Sequence, residues 1–209
     1  MTGTFTGKPT KVDGADQIWL WDTANDTWVE YFFRRTVGSG AKDIGWVKNG
    51  QADTSVETED TIANGETFFF RRANGQASIP LTLSGAVKPF AASAQYTGLA
   101  ANKFKFIGYP WPVAMPIANF GSYMSPAPTG KPTKVDGADQ IWRWDSENDE
   151  WIQYFYRRTV GAGAADIGWV RNGQADTSVP TTDVIPAGEG FFFRRANGQP
   201  DATVTFTYE

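Results

Sequence analysis

The chain has 209 residues and a formal net charge of -4, with 19 Lys and Arg against 23 Asp and Glu, and it contains neither His nor Cys. That balance argues against a nucleic-acid partner, because affinity for phosphate backbones comes mainly from clustered Lys and Arg. The absent His and Cys remove disulfides, thiolate metal sites and the usual general base, and no apolar run approaches the length of a spanning helix, so no membrane insertion is expected.

Nine Trp, 15 Phe and 7 Tyr beside only 3 Met favour pleated, half-buried surfaces over helices. In chain order, GKPTKVDGADQIW opens at Gly7, and QIWLWD and TWVEYFF flank the short TAND segment as a hairpin. The glycine-rich GSGAKDIGWVKNG reads as a loop holding one short strand around Trp46, IANGETFFFRR as a turn feeding a strand, and ANGQ as a turn into a last strand, SIPLTL. Residues 86–98 read as a linker, and AASAQYTGLAANK, 91–103, as a loop or a short helical turn. FKFIGY then reads as a strand and PWPVAMP as a turn or edge segment.

From Gly130 the opening pattern returns letter for letter, and the match runs without a gap through FFFRRANGQ at an offset of 123. About three quarters of the aligned positions are identical, and a period this long marks a duplicated domain rather than a solenoid. The expectation is an all-β chain of two tandem homologous antiparallel β-sandwich or open-barrel modules, 1–85 and 99–209, of about five or six strands each when complete. Met1 falls opposite Met124, so the first module is expected to lack the strand that FKFIGY supplies to the second.

Substitutions between the copies suggest which faces are wet. Leu20 is replaced by Arg143, which places that face toward water and Trp19 and Trp21 inward. Glu30 and Gln153 mark a wet face shared with Trp28 and Phe32, leaving Val29, Tyr31 and Phe33 inward. Aromatics thus occur on both faces, and one set is either covered by a loop or waiting for a partner.

Asp22, Asn25 and Asp26 in the hairpin do not match a calcium loop and fit local turn bonding. The paired arginines, Arg34 with Arg35 and Arg71 with Arg72, fit ion pairs with Asp16, Asp43 or Asp53 better than an anion grip. Catalysis has little support: Glu57 becomes Pro180 and Glu59 becomes Thr182, Glu66 and Glu189 both sit in turns, and no nucleophile or nucleotide motif is present. No cofactor, metal or active site is expected. The candidate binding residues, for assembly or for a ligand, are Trp28, Phe32, Trp151, Phe155, Phe104, Phe106, Tyr109 and Trp111.

IGYPWPVAMPIANFG, DQIWRWDSENDEW and IPAGEGFFFRR together resemble β modules of secreted bacterial surface and appendage proteins. The resemblance implies an exported structural protein without an active site, and a processed mature chain would carry no signal peptide, as MTGTFTGKPTK carries none. The expected function is a structural subunit of an extracellular filament or surface layer, with the protein itself as partner. A tandem carbohydrate-binding protein using exposed Trp platforms is the alternative.

Overall fold

Strand-forming aromatics between Asx and Gly turns dictate a mostly β chain, and the computed structural model has several antiparallel sheets, none of them closed. It describes residues 4–9, 14–62, 66–77, 79, 93–132 and 137–207. Two units are separable, Met1–Pro89 and Phe90–Glu209.

In the first unit Gln17–Asp22 (β1), Thr27–Arg35 (β2), Asp43–Lys48 (β3) and Phe68–Arg71 (β4) form a sheet of order β3-β2-β1-β4. The hairpin turn is closed by Asp22, whose Oδ1 accepts from the N–H groups of Ala24 and Asn25, and by Asp26 at φ 56°. Asp is among the few residues that tolerate this left-handed conformation. The hydrogen bond from the Asn25 side-chain amide, with those two backbone bonds, holds the Asp22 carboxyl below its ordinary range.

Register fixes the faces. Leu20 pairs with Val29 and Ile18 with Tyr31, and these side chains pack with Trp46, Phe68 and Phe70 on the inner face. Trp21 pairs with Trp28 and Gln17 with Phe32 on the outer face, where Trp19 also lies. The inward assignment of Val29 and Tyr31 is therefore observed, whereas that of Trp19 and Trp21 is reversed.

The physical reason lies in Arg143. It occupies the inner-face position of Leu20, pairs across strands with Ile152, and carries its head to Glu189 at 3.7 Å. A long aliphatic stem lets Arg stand at the rim of a core without burying an unpaired charge, so a Leu-to-Arg exchange does not by itself mark a wet face.

The second unit comprises Ser93–Leu99 (β5), Phe104–Gly108 (β6), Met115–Pro116 (β7), Met124–Ser125 (β8), Gln140–Asp145 (β9), Glu150–Arg158 (β10), Asp166–Arg171 (β11), Val184–Ile185 (β12), Gly190–Arg194 (β13) and Ala202–Thr207 (β14). Its main sheet has order β11-β10-β9-β13-β6; a smaller sheet runs β5-β14-β8, and β12 pairs with β7. Ile107, Ile141, Ile152, Tyr154, Trp169, Phe191 and Phe193 from the main sheet share one core with Val204 and Phe206 of β14, giving a sandwich-like packing. The 3-10 helix Ile117–Tyr123 inserts Phe120, fully buried, against Trp169, Phe191 and Phe193.

Two expectations need amendment. Residues 93–99, read as linker and as a loop or helical turn, form β5 and pair with β14; alternate Ala94 and Tyr96 are half-buried while Ser93, Gln95 and Thr97 face water. The 3-10 helix was not foreseen, being too short to show a period. The anticipated SIPLTL strand and the rest of the linker, 78 and 80–92, lie outside the described residues.

Most of the paired arginines serve structure. Arg195 and Asp139 form a fully buried ion pair, and the Asp139 carboxylate also accepts from the N–H groups of Thr129 and Ala196. Arg72 and Asp16 repeat the pair with Arg72 partly exposed, and Arg35 reaches Asp43 at 3.3 Å.

Candidate functional site

Two features of these sheets offer recognition surfaces. The first is an edge. β13 carries Phe191–Arg194, hydrogen-bonded on one side to β9 and on the other to β6, with Phe191 opposite Ile107, Phe192 opposite Phe106 and Arg194 opposite Phe104. β4 carries the same four letters, Phe68–Arg71, and pairs with β1 in the corresponding register. Among the described residues no strand pairs with its other side. The edge strand of a sheet is where an extended chain can be added through backbone hydrogen bonds.

The inner face behind that edge is covered differently among the described residues. Phe5 packs on Phe33, Trp46 and Phe70 at 5.2 to 6.2 Å between centroids. Beside it a cleft of about 150 Å³ remains, lined by Ile18, Leu20, Tyr31 and Trp46 with residues of 57–62. In the second unit the corresponding face is covered by Phe120, Ile117, Tyr109 and Trp111.

The second feature is the outer aromatic face of the main sheet. Phe106 stacks on Phe192 at 4.6 Å, Trp151 leans on Phe192 at 5.5 Å, and Trp144 meets Trp151 edge-on at 5.1 Å. Phe104 contacts both Trp142 and Phe192. A line of amides crosses the same face: Trp142 Nε1 donates to Gln140 Oε1 at 3.0 Å, Gln153 Nε2 to the same oxygen at 3.1 Å, and Asn172 Nδ2 to Gln153 Oε1 at 3.0 Å. Arg194 lies over the Phe104 ring and donates to Asn102. The first unit repeats the arrangement with Trp19, Trp21, Trp28 and Phe69, and has Glu30 where the second has Gln153.

The structure thus brings Phe104, Phe106 and Trp151 together on one face and places Trp28 on its counterpart. Phe32 and Phe155 belong to the same faces but are buried, packed with Ala15 and Val47 in one unit and Ala138 and Val170 in the other. Tyr109 and Trp111 turn into the core. Trp142, Trp144 and Phe192 were missed as site residues; their alternation with Ile141 and Phe193 was the available signal.

Electrostatics single out one further pair on the inner side. Tyr154 donates to Asp183 at 2.8 Å, and burial with that hydrogen bond pushes its hydroxyl up to about 12. Tyr31 and Asp60 form the same bond at 2.7 Å, with the Tyr31 hydroxyl likewise raised and Asp60 held low by it. Lys48 reaches Asp60 at 3.5 Å and Arg171 reaches Asp183 at 3.9 Å, and among the described residues no group of three or more His, Cys, Asp or Glu side chains is placed to hold a metal.

No protein-family model matches the chain, and comparison with curated proteins and with solved structures returns no match.

Proposed function

We propose that the chain is a structural subunit of an extracellular filament or surface layer, built from two tandem homologous β-sandwich modules that associate by strand addition. What supports this reading is the pairing of Phe104–Gly108 with Phe191–Arg194 in the second unit, beside the identical strand Phe68–Arg71, which ends the sheet of the first unit among the described residues. A donor with the alternation of Phe104–Gly108, offered by a neighbouring module of the assembly, extends a sheet of this kind as β6 extends that of the second unit. It also adds two aromatic rings beside Phe69. Contacts of this kind are heterologous, and a heterologous contact that does not close propagates as a fibre.

The extracellular setting rests on the resemblance of the second module's motifs to those of secreted surface proteins. Negative-stain microscopy of the purified chain, with sedimentation velocity over a range of concentrations, tests the proposal. Filaments or a concentration-dependent series of oligomers support it, and a monodisperse monomer at high concentration contradicts it.

A further inference from the structure

Four Asn-Gly steps lie among the described residues, Asn49-Gly50, Asn74-Gly75, Asn172-Gly173 and Asn197-Gly198, and all four are exposed. A further step, at Asn64, lies outside the described residues. Each of the four sits at the centre of the same kind of turn. The N–H of the glutamine that follows donates, at 3.1 to 3.4 Å, to the carbonyl of the residue before the asparagine, and the glycine has φ between 71° and 86°. The space around each glycine is open, since a Cβ there would meet nothing within 4 Å.

The asparagines differ in what holds their side chains. Asn49 Nδ2 donates to Glu30 Oε2 at 3.0 Å, and Asn172 Nδ2 donates to Gln153 Oε1 at 3.0 Å, which ties each amide to a neighbouring strand. Asn74 and Asn197 make no side-chain hydrogen bond among the described residues. Around them the backbone is fixed instead. The N–H groups of Ala73 and Ala196 donate to the buried Asp16 and Asp139, and the Nε atoms of Arg72 and Arg195 donate to the carbonyls of Ala77 and Pro200 beyond the turn.

We infer that Asn74 and Asn197 are sites of self-modification, where the folded chain converts asparagine to aspartate and isoaspartate, and that Asn49 and Asn172 are protected by their hydrogen bonds. The nitrogen of the following glycine bonds to the asparagine Cγ. The Cγ–Nδ2 bond breaks, and Nδ2 leaves as ammonia with the proton of the glycine N–H, carried to it through solvent. Water then opens the resulting cyclic imide at either carbonyl, to aspartate or to an isoaspartyl linkage that runs through Cγ. Each event adds a negative charge to a chain whose net charge is -4. At Asn49 and Asn172 the amide must first leave its partner, and a hydrogen bond of ordinary net strength lowers the reactive fraction about two- to tenfold. The bond of Asn49 is the stronger, because its acceptor is a carboxylate. The reaction is independent of strand addition, since it needs no second chain.

The full chain, kept folded in mildly alkaline buffer and sampled over days, is digested, and each Asn-Gly peptide is followed by mass spectrometry. Asn74 and Asn197 are expected to convert about two- to tenfold faster than Asn172, with Asn49 slowest. In urea, where the hydrogen bonds are lost, the four rates are expected to converge. Gln153→Ala is expected to bring Asn172 up to the rate of Asn197 and to leave Asn49 as it was. Conversion of all four at one rate in the folded chain overturns the inference. A difference that persists in urea overturns it as well, as does a Gln153→Ala chain in which Asn172 stays slow.

Discussion

The ring of Phe5 meets the indole of Trp46 edge-on, with centroids 5.2 Å apart and planes at 68°. In the second unit Phe120 meets Trp169 in nearly the same way, at 5.7 Å and 64°. The two phenylalanines come from unrelated places in the repeat, because the offset of 123 puts Pro128 opposite Phe5. One aromatic plug is thus supplied from two different segments.

Removing the plug has unequal consequences. Phe120 is fully buried against three aromatic rings, so Phe120→Ala is expected to cost about 3 to 5 kcal/mol in the second unit. Phe5 is only half-buried, and Phe5→Ala is expected to cost less than half as much. Urea unfolding followed by tryptophan fluorescence measures both.

The duplicated ion pairs give a matched comparison. Asp139→Ala leaves Arg195 buried without its counter-charge, and a loss of about 3 to 5 kcal/mol is expected. In Asp16→Ala the partly exposed Arg72 recovers some hydration, and a smaller loss of about 1 to 3 kcal/mol is expected. Equal losses in the two variants would contradict the assigned burial.

Arg143 carries an opposite expectation. Its Nε is buried without a hydrogen-bond partner, while Glu189 at 3.7 Å is a weak ion pair. Arg143→Leu restores the side chain that the first unit has at this place. The variant is expected to be more stable by about 1 kcal/mol, read as a raised urea midpoint at unchanged slope.

Alkaline pH titrates the core through Tyr154. Its hydroxyl is raised to about 12 in the folded chain against 10.0 for an ordinary tyrosine, so the folded state holds its proton where the unfolded state has lost it. Its stabilising contribution is complete below about pH 10 and is lost as pH rises toward 12, at about 1.4 kcal/mol per pH unit. In Tyr154→Phe this part of the alkaline slope is expected to disappear, as measured by urea midpoints between pH 9 and 12 relative to the parent chain.

How far the sequence could be read depended on whether local pattern and tertiary role coincided. The hairpins around Asp22 and Asp145 and the strand at Phe104–Gly108 have local signals in turn chemistry and alternation, and each appears in the structure. The faces of β1 were misread because a substitution to Arg143 was taken as a solvent marker, although its position is decided by reach rather than by polarity. Strand β5 escaped because small and polar residues dilute its alternation, and a register shift between Ala202 and Val204 accompanies its pairing. Tyr109, read as the end of the FKFIGY strand, and Trp111, read in the PWPVAMP turn or edge segment, were expected to bind a partner, and the fold packs both into the core.

Strand addition at β4 is tested most directly by amide hydrogen exchange on the full chain, with and without a synthetic peptide of residues 102–110, NKFKFIGYP. Saturable slowing of exchange at Phe68–Arg71, absent with a peptide in which the Phe alternation is scrambled, is the predicted result. Unchanged exchange at Phe68–Arg71 in the presence of excess peptide would contradict it.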